Sequence, residues 1–292
     1  MTLKRSLNRA LTATTGLQVR RAPRPGTPRP AAAPQRPAPA YRRPSAEEPA
    51  TDRLLRRPAF IVSSIRSGST LLRLMLNAHS RLHSPHELHI TRLEVGFGSS
   101  VSQYSMTRLG LERGDLEHLL WDRLMHWELV RSGKDHLVEK TPGNVFDIRR
   151  VRDCWPDARF VFLLRHPESV ARSWHESDPE KRPYEKAVAD ALRYVAAVDD
   201  ARKALPGGCT VRYEDITEDP ERQLRRLCAF LDVEYEPGMV DYGRAGGTEV
   251  PRGLGDWRPT IRTGTVQPGR ALPERDEIHG RLLPMCEAWG YA

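Results

Sequence analysis

The segment at residues 59–76, AFIVSSIRSGSTLLRLML, constrains the fold more than any other part of the chain. An apolar run is followed by a polar turn that contains one glycine, and apolar residues then recur at helical spacing. A short apolar run bounded by turn residues is typical of a buried strand, and the spacing beyond it is typical of an amphipathic helix. The segment therefore predicts a strand, a tight turn and a helix in immediate succession.

The same order recurs further along the chain. Residues 158–167, ARFVFLLRHP, predict a second buried strand with a helix starting at Pro167, and residues 209–215, CTVRYED, predict a third strand. Helical periodicity is present at about residues 115–131, 184–205 and 220–231. Strands that alternate with helices indicate an α/β fold with a central parallel sheet flanked by helices. Ligands of such sheets bind at the carboxyl ends of the strands, so functional residues are expected directly after each strand.

The composition divides the chain into two regions. Residues 1–50 contain ten Lys and Arg side chains, no acidic residue before Glu47, and nine prolines between residues 21 and 50. Such a segment buries too little apolar surface to fold, so we expect a basic, Pro/Arg/Ala-rich disordered tail at 1–50 and a folded domain at 51–292. Leu3, Leu7 and Leu11 share one face of a short helical pattern, which suits either peripheral membrane contact through residues 1–20 or a solvated terminus.

Net charge argues against nucleic acid as a specific partner. The total is +8, and removing the ten charges of the tail leaves −2 for residues 47–292. The folded domain is therefore close to neutral, and any electrostatic binding of nucleic acid would be confined to the tail. The four cysteines lack the spacing of a metal site, and no apolar run approaches the ~20 residues of a membrane span. We expect a cytoplasmic protein with reduced thiols.

The turn at residues 63–70 resembles a phosphate-binding P-loop with two substitutions. When the pattern G-x-x-x-x-G-K-[ST] is laid on this turn, Gly68 and Thr70 match, whereas Ser63 stands at the first glycine and Ser69 at the lysine position. Backbone N–H groups at the start of the following helix favour an anion. Arg66 supplies a guanidinium, which binds tetrahedral oxyanions through two parallel hydrogen bonds.

The end of the second strand distinguishes between nucleotide classes. P-loop enzymes that use ATP present an acidic residue there to hold Mg²⁺, whereas this strand ends in Arg165. Ser173 follows eight residues later, about two turns into the next predicted helix. The two side chains together suit a second phosphate group. A small-molecule kinase that uses ATP and Mg²⁺ is kept as the alternative.

These residues resemble the sulfotransferases that use 3′-phosphoadenosine 5′-phosphosulfate (PAPS). The resemblance is carried by SSIRSGSTLL, LLRHPESVARSW and VRYEDITEDPERQLRRLCAFL, in that order, and covers most of residues 58–275. The pattern is most similar to the tyrosylprotein sulfotransferases and to bacterial carbohydrate or natural-product sulfotransferases. The resemblance implies a P-loop-like α/β domain with a central parallel sheet, in agreement with the alternation of strands and helices.

The resemblance also implies which residues hold PAPS. The 5′-phosphosulfate would lie on Arg66, Ser67, Gly68, Ser69 and Thr70, and the 3′-phosphate on Arg165 and Ser173. Tyr213 matches a tyrosine near the adenine, although a strand tyrosine packed in the core would look the same. The segment RTGTVQPGR resembles one that closes over the 3′-phosphate, with Arg270 as the first candidate contact and Arg262 as the second.

Sulfuryl transfer needs a base for the acceptor proton and cations for the transferred oxygens, but no metal. The resemblance places a catalytic glutamate at Glu87 and a lysine that reaches the sulfonate at Lys140, with Arg66 sharing the developing charge. Other branches of the family use a histidine base, which keeps His86 as an alternative. Burial would raise the basicity of a carboxylate in this position.

The acceptor is not encoded in any motif that we can interpret. The abundance of Ala, Arg and Pro is typical of a bacterium with high GC content, and no membrane anchor of the kind a Golgi enzyme needs is visible. We therefore expect a glycan, a lipid or a small-molecule secondary metabolite as the acceptor, rather than a protein of the secretory pathway.

Overall fold

A computed structural model describes residues 53–245, 253–256 and 259–292. The described residues fall within one unit, Pro39–Ala292. The tail predicted at residues 1–50, with its short helix and its membrane contact through residues 1–20, lies outside the described residues, as do the first two positions of the predicted domain.

A five-stranded parallel sheet forms the centre of the domain, in the order β2–β3–β1–β4–β5. The strands are β1 Ala59–Ser63, β2 Leu82–His83, β3 His136–Glu139, β4 Arg159–Leu164 and β5 Cys209–Arg212. The pairing of β1 with β4 runs in register from Ala59 opposite Arg159 to Ser63 opposite Leu163. The central parallel sheet and three of its strands are thus confirmed, whereas the short strands β2 and β3 were not predicted.

Helices cover both faces of this sheet. They are α1 Ser69–Asn77, α2 Ser100–Arg108, α3 Arg113–Ser132, α4 Ile148–Cys154, α5 Pro167–Ser177, α6 Tyr184–Ala204, α7 Tyr213–Glu218, α8 Pro220–Leu231, α9 Pro259–Arg262 and α10 Leu283–Ala288. The helices predicted from periodicity at about 115–131, 184–205 and 220–231 correspond to α3, α6 and α8 within two residues at each end.

The sheet faces bury two separate apolar cores because successive side chains of a strand point to opposite sides. Phe60 and Val62 of β1 join a core with residues of α3, α4 and α6. Ala59 and Ile61 join a second core with residues of α1 and α8. All five residues of β1 are buried, which explains why this strand is a continuous apolar run rather than an alternating one.

The third predicted strand ends earlier than its sequence indicates. CTVRYED was expected to be extended as far as its acidic residues, but β5 stops at Arg212 and Tyr213 begins helix α7. Glu214 and Asp215 lie in the first turn of α7, where negative side chains interact favourably with the helix dipole. Tyr213 is consequently the first residue beyond the strand, at the edge where ligands bind. Nowhere in the described ranges is a helix long and apolar enough to cross a membrane.

Candidate active site

A cleft of about 780 Å³ opens at the carboxyl ends of the strands. Its walls come from the segments that follow all five strands, together with described residues between Gly253 and Arg270 near the end of the chain. The predicted site residues that line it are Arg66, Gly68, Ser69, Thr70, Glu87, Arg165, Ser173, Tyr213 and Arg270. The parallel sheet therefore brings together residues that are up to about two hundred positions apart.

The turn after β1 has the shape that an anion site requires. Arg66 and Gly68 adopt left-handed backbone angles, with φ of 67° and 86°, and Gly68 precedes the first residue of α1. The buried Ser67 donates a hydrogen bond from Oγ to the carbonyl oxygen of Ser64 at 2.7 Å, which closes the turn. Ser69 and Thr70 form the first turn of α1, where backbone N–H groups have no partner within the helix.

Arg66 is held between two parts of the site. Its Nε donates to Ser173 Oγ at 3.3 Å, and its Nη2 lies 3.3 Å from a carboxylate oxygen of Asp256. Asp256 also donates its backbone N–H to Thr70 Oγ1 at 2.9 Å. The segment at 253–256 thus contacts both the arginine and the first turn of the helix. Asp256 was missed in the sequence because an isolated acid in a Gly-rich segment carries no periodic signal.

Arg165, Tyr213 and Gly68 form a compact stack beside the turn. Arg165 donates from Nη1 to the carbonyl oxygen of Arg66 at 2.7 Å, and its guanidinium lies 4.5 Å from the centre of the Tyr213 ring. A Cβ atom at Gly68 would lie 2.2 Å from Cδ2 of Tyr213, so only glycine fits against this ring. Tyr213 both packs against the core of α1 and α8 and lines the cleft, so the two alternatives for this residue are compatible.

The C-terminal arginines differ in position. Arg270 lines the cleft, is largely exposed and pairs with Glu176 on α5 at 2.8 and 2.9 Å. Arg262 is exposed, and it is not among the described residues that line the cleft.

Glu87, which lines the cleft, forms an ion pair with Lys140, which lies behind it and is not among the described residues that line the cleft. Lys140 follows β3 directly, its side chain is fully buried, and its Nζ donates to Oε1 of Glu87. Burial lowers the pKa of Lys140, while the neighbouring Glu87 carboxylate opposes this shift. Glu87 itself is 13% exposed and lines the cleft. The pair joins the two residues that the family resemblance proposed for proton and charge transfer.

The histidine that approaches this pair is His89. Its Nε2 lies 3.4 Å from the second carboxylate oxygen of Glu87, and its backbone adopts a left-handed φ of 50°. Such angles are uncommon outside glycine, and those that exist concentrate at functional sites. His86, the alternative base named from the sequence, is exposed and does not line the described cleft.

Glu139 is a further acidic residue of the site that the sequence analysis did not select. It is the last residue of β3 and is 1% exposed. Burial raises its pKa to about 7, and hydrogen bonds partly offset this shift. Its position directly before Lys140 in VEKTP was the available signal, but β3 was not predicted, so nothing in the sequence placed Glu139 at the end of a strand. Among the described residues, no group of three or more His, Cys, Asp or Glu side chains is placed to hold a metal ion.

Comparison with known proteins gives a consistent family. The family model described as "Sulfotransferase family" matches residues 58–237. A putative protein-tyrosine sulfotransferase of Caenorhabditis briggsae is 24% identical over 203 residues, which are 65% of this chain and 71% of that protein. The nodulation protein NoeE of Sinorhizobium fredii is 25% identical over 226 residues, 66% of this chain and 54% of that protein. Three further curated relatives are covered over 27%, 59% and 54% of their length.

Solved structures share the fold. The sulfotransferase domain from the olefin synthase of Synechococcus PCC 7002 superimposes with a TM-score of 0.58 at 23% identity, covering 82% of this chain and 96% of that domain. Because the family match spans residues 58–237, more than half of the 292 residues, and its fold is the one described above, the chain belongs to the sulfotransferase family.

Proposed function

We propose that this protein transfers a sulfuryl group from PAPS to a hydroxyl or amine group of an acceptor. The observation that carries the proposal is a cleft in which an anion-binding turn faces a Glu87–Lys140 ion pair. The turn supplies the start of a helix and a guanidinium, and the pair supplies a base and a buried cation. Sulfuryl transfer needs these groups together.

The residues of the cleft fit PAPS in charge and in size. Two guanidiniums, from Arg66 and Arg165, and the hydroxyl of Ser173 lie within one connected set of hydrogen bonds. We assign the 5′-phosphosulfate to residues 66–70 and the 3′-phosphate to Arg165 and Ser173, with Arg270 at the open side. Tyr213 presents a ring face on which an adenine could stack. The cleft volume lies within the range that cofactor sites occupy.

Proton transfer is assigned to Glu87. When PAPS is bound, a bond forms between the acceptor oxygen or nitrogen and sulfur while the bond from sulfur to the bridging phosphate oxygen breaks. Glu87 accepts the proton that the acceptor loses. Lys140 and Arg66 oppose the negative charge on the transferred group and on the departing phosphate. His89, in contact with Glu87, is placed to relay the proton towards solvent.

The acceptor is proposed by class only. A glycan, a lipid or a small-molecule metabolite agrees with the bacterial composition, and the same proposal includes a cytoplasmic location. The curated relatives are named for protein tyrosine and for nodulation, so a protein acceptor is kept as an outcome of the experiment.

The test incubates the purified protein with ³⁵S-labelled PAPS and a fractionated extract of the host, without added metal. Label in the lipid, small-molecule or protein fraction would support the proposal and name the acceptor class. In parallel, ATP labelled at the γ-phosphate and supplied with Mg²⁺ tests the kinase alternative. The proposal is wrong if no fraction takes up sulfur label and adenosine 3′,5′-bisphosphate (PAP) does not stabilise the protein against heat.

A further inference from the structure

Two short segments carry the proposed catalytic pair, and they are distant in sequence. Glu87 lies in the segment at residues 87–91, which runs from the loop after β2 into the 3₁₀ turn Ile90–Arg92. Lys140 lies in the segment at residues 139–144, which runs from the last residue of β3 into the 3₁₀ turn Pro142–Asp147. Neither segment is regular structure at the reactive residue, so neither position is set by a helix or strand alone.

The carboxylate of Glu139 lies at the junction of these segments. One oxygen accepts a hydrogen bond from Thr141 Oγ1 and the other from Asn144 Nδ2, both at 2.5 Å. The backbone N–H of Leu88, the residue next to Glu87, lowers the pKa of this carboxylate and so opposes the effect of burial. Glu139 therefore binds two side chains of its own segment, and both of these contact the segment that carries the proposed base.

The residues bound to Glu139 extend the connection. The Thr141 hydroxyl that donates to Glu139 accepts from the backbone N–H of His89 at 3.2 Å. The Asn144 side chain that donates to Glu139 accepts from Thr91 Oγ1 at 3.2 Å. Both contacts join residues 87–91 to residues 139–144. The ion pair of Glu87 and Lys140 spans the same two segments.

We propose that Glu139 is a positioning residue, which holds Glu87 and Lys140 in the geometry that sulfuryl transfer requires without itself touching the acceptor or PAPS. This inference rests on the proposed function. Glu139 is not among the residues that line the described cleft, so its action is through its neighbours.

The free-energy cost of burying Glu139 favours a positioning role over the alternative that this carboxylate has no role. A carboxylate that is 1% exposed opposes folding through the loss of its hydration, and an apolar residue of similar size would avoid that loss. The raised pKa of Glu139 reflects the same penalty, with the Lys140 cation and the hydrogen bonds opposing it. The carboxylate accepts hydrogen bonds from two side chains that also contact the segment of Glu87, and this arrangement fixes the geometry of both segments in return.

Glu117 provides a matched control. It is also a buried carboxylate, it binds Arg113, Arg150 and the backbone N–H of Val95, and it is not among the residues that line the described cleft. Glu139→Gln keeps the size of the side chain but turns one acceptor oxygen into a donor facing Asn144 Nδ2 or Thr141 Oγ1. Glu117→Gln makes the same change in a network that carries no proposed catalytic residue.

The experiment compares the two variants, and Glu139→Asp, in two measurements. The first is steady-state release or transfer of sulfate from ³⁵S-labelled PAPS, with water or the acceptor fraction as acceptor, at PAPS concentrations from limiting to saturating. The second is the rate at which an amine-reactive reagent labels Lys140, read by peptide mass spectrometry. Lys140 is fully buried in the intact protein, so its labelling reports how firmly its segment is held.

For Glu139→Gln we expect turnover at saturating PAPS to fall by about 10- to 100-fold, since a displacement of about 1 Å is enough for such a loss. The KM for PAPS should change by less than about threefold, because the anion site is built from other residues. Labelling of Lys140 should rise at least about fivefold, as expected when the local structure opens more often. Glu139→Asp should have a turnover and a Lys140 labelling rate between those of Glu139→Gln and those of the unmodified protein. Glu117→Gln should leave turnover and Lys140 labelling within about twofold of the unmodified protein.

The inference is overturned if Glu139→Gln keeps its turnover, if its turnover falls without a change in Lys140 labelling, or if Glu117→Gln produces the same changes. Failure of the proposed function can be distinguished from failure of this inference about Glu139. In that case the unmodified protein neither transfers nor hydrolyses labelled PAPS, and labelling of Lys140 alone decides whether Glu139 holds the segment.

Discussion

Glu87 is the residue to which the proposed reaction assigns proton transfer, and its two oxygens face different partners. One accepts from the buried Lys140 and the other lies near His89 at the cleft. The first contact orients the carboxylate and the second leaves it accessible to an acceptor. At this scale, the proposed reaction depends on the charge of Glu87 and on which of its two carboxylate oxygens faces the cleft.

Replacing Glu87 by glutamine removes the base but keeps the shape of the side chain. We expect turnover to fall by about 10²–10⁴ while PAP binding is retained, because general-base catalysis contributes about this much. The measurement is sulfate transfer from labelled PAPS alongside thermal stabilisation by PAP. Glu94→Gln, at an exposed acid paired with Arg113, is the control. Near-normal turnover in Glu87→Gln would show that another residue is the base.

Arg165 is assigned to the 3′-phosphate, so its loss should discriminate between nucleotides. For Arg165→Ala we expect PAP affinity to fall by about 10- to 100-fold, since a hydrogen bond to a charged group contributes about 1.5–3 kcal/mol. Adenosine 5′-monophosphate lacks the 3′-phosphate and should lose little affinity. Calorimetric titration with both nucleotides measures the difference, with Arg225→Ala on the exposed face of α8 as the control. Equal losses for the two nucleotides would contradict the assignment.

At the scale of elements, the start of helix α1 depends on Gly68. The residue is left-handed and lies against the Tyr213 ring, so the turn, α1 and the start of α7 meet at one position without a side chain. A side chain at this position would displace the Tyr213 ring or the backbone of the turn.

Gly68→Ala should therefore weaken PAP binding, by at least about tenfold, because the new methyl group must displace Tyr213 and a left-handed alanine adds about 1 kcal/mol of strain. Gly110→Ala is a matched control, since Gly110 has a φ of 73° but no atom within 4 Å of the point where the methyl group would lie. The Gly110→Ala variant should lose a similar amount of free energy of unfolding through backbone strain, but its affinity for PAP should be unchanged. Thermal unfolding with and without PAP separates the two effects. Unchanged PAP affinity in Gly68→Ala would show that the turn can accommodate the added methyl group without losing its anion-binding shape.

At the scale of the whole molecule, acid stability should depend on a histidine outside the cleft. His118 of α3 is buried, and burial together with Arg150 and Arg53 lowers its pKa from 6.5 to about 3. The unfolded chain consequently binds this proton more readily than the folded one does. Stability should be complete above about pH 6.5 and fall as the pH decreases towards 3, by at most about 1.4 kcal/mol per pH unit.

His118→Gln removes this titration. Urea unfolding at several values between pH 7 and pH 4 should show a shallower decline for the variant than for the unmodified protein, even if the variant is less stable at pH 7. The pH slope is the relevant quantity, because loss of packing against Trp121 would lower stability equally at every pH. Parallel declines would mean that His118 is not protonated on unfolding in this range.

Local pattern was sufficient to predict the central sheet, five of the ten described helices and the turn that follows β1. Strand and helix periodicity are properties of neighbouring residues, and a glycine with a nearby arginine after a buried strand is itself local information. The family resemblance added Glu87 and Lys140 as single residues. Strands β2 and β3 were not predicted because two to four residues are too few for a periodic signal. In addition, β3 ends in the charged residue Glu139.

The sequence by itself therefore determined the class of fold, the strand-end arginines and the turn that follows β1. Only the tertiary structure decided that Lys140 pairs with Glu87 across 53 positions, that His89 rather than His86 approaches it, and that Asp256 contacts Thr70 across 186. It also decided that Glu139 joins the two catalytic segments. The physical reason is that a parallel sheet gathers its strand ends at one edge, so these contacts depend on strand order, which no local pattern records.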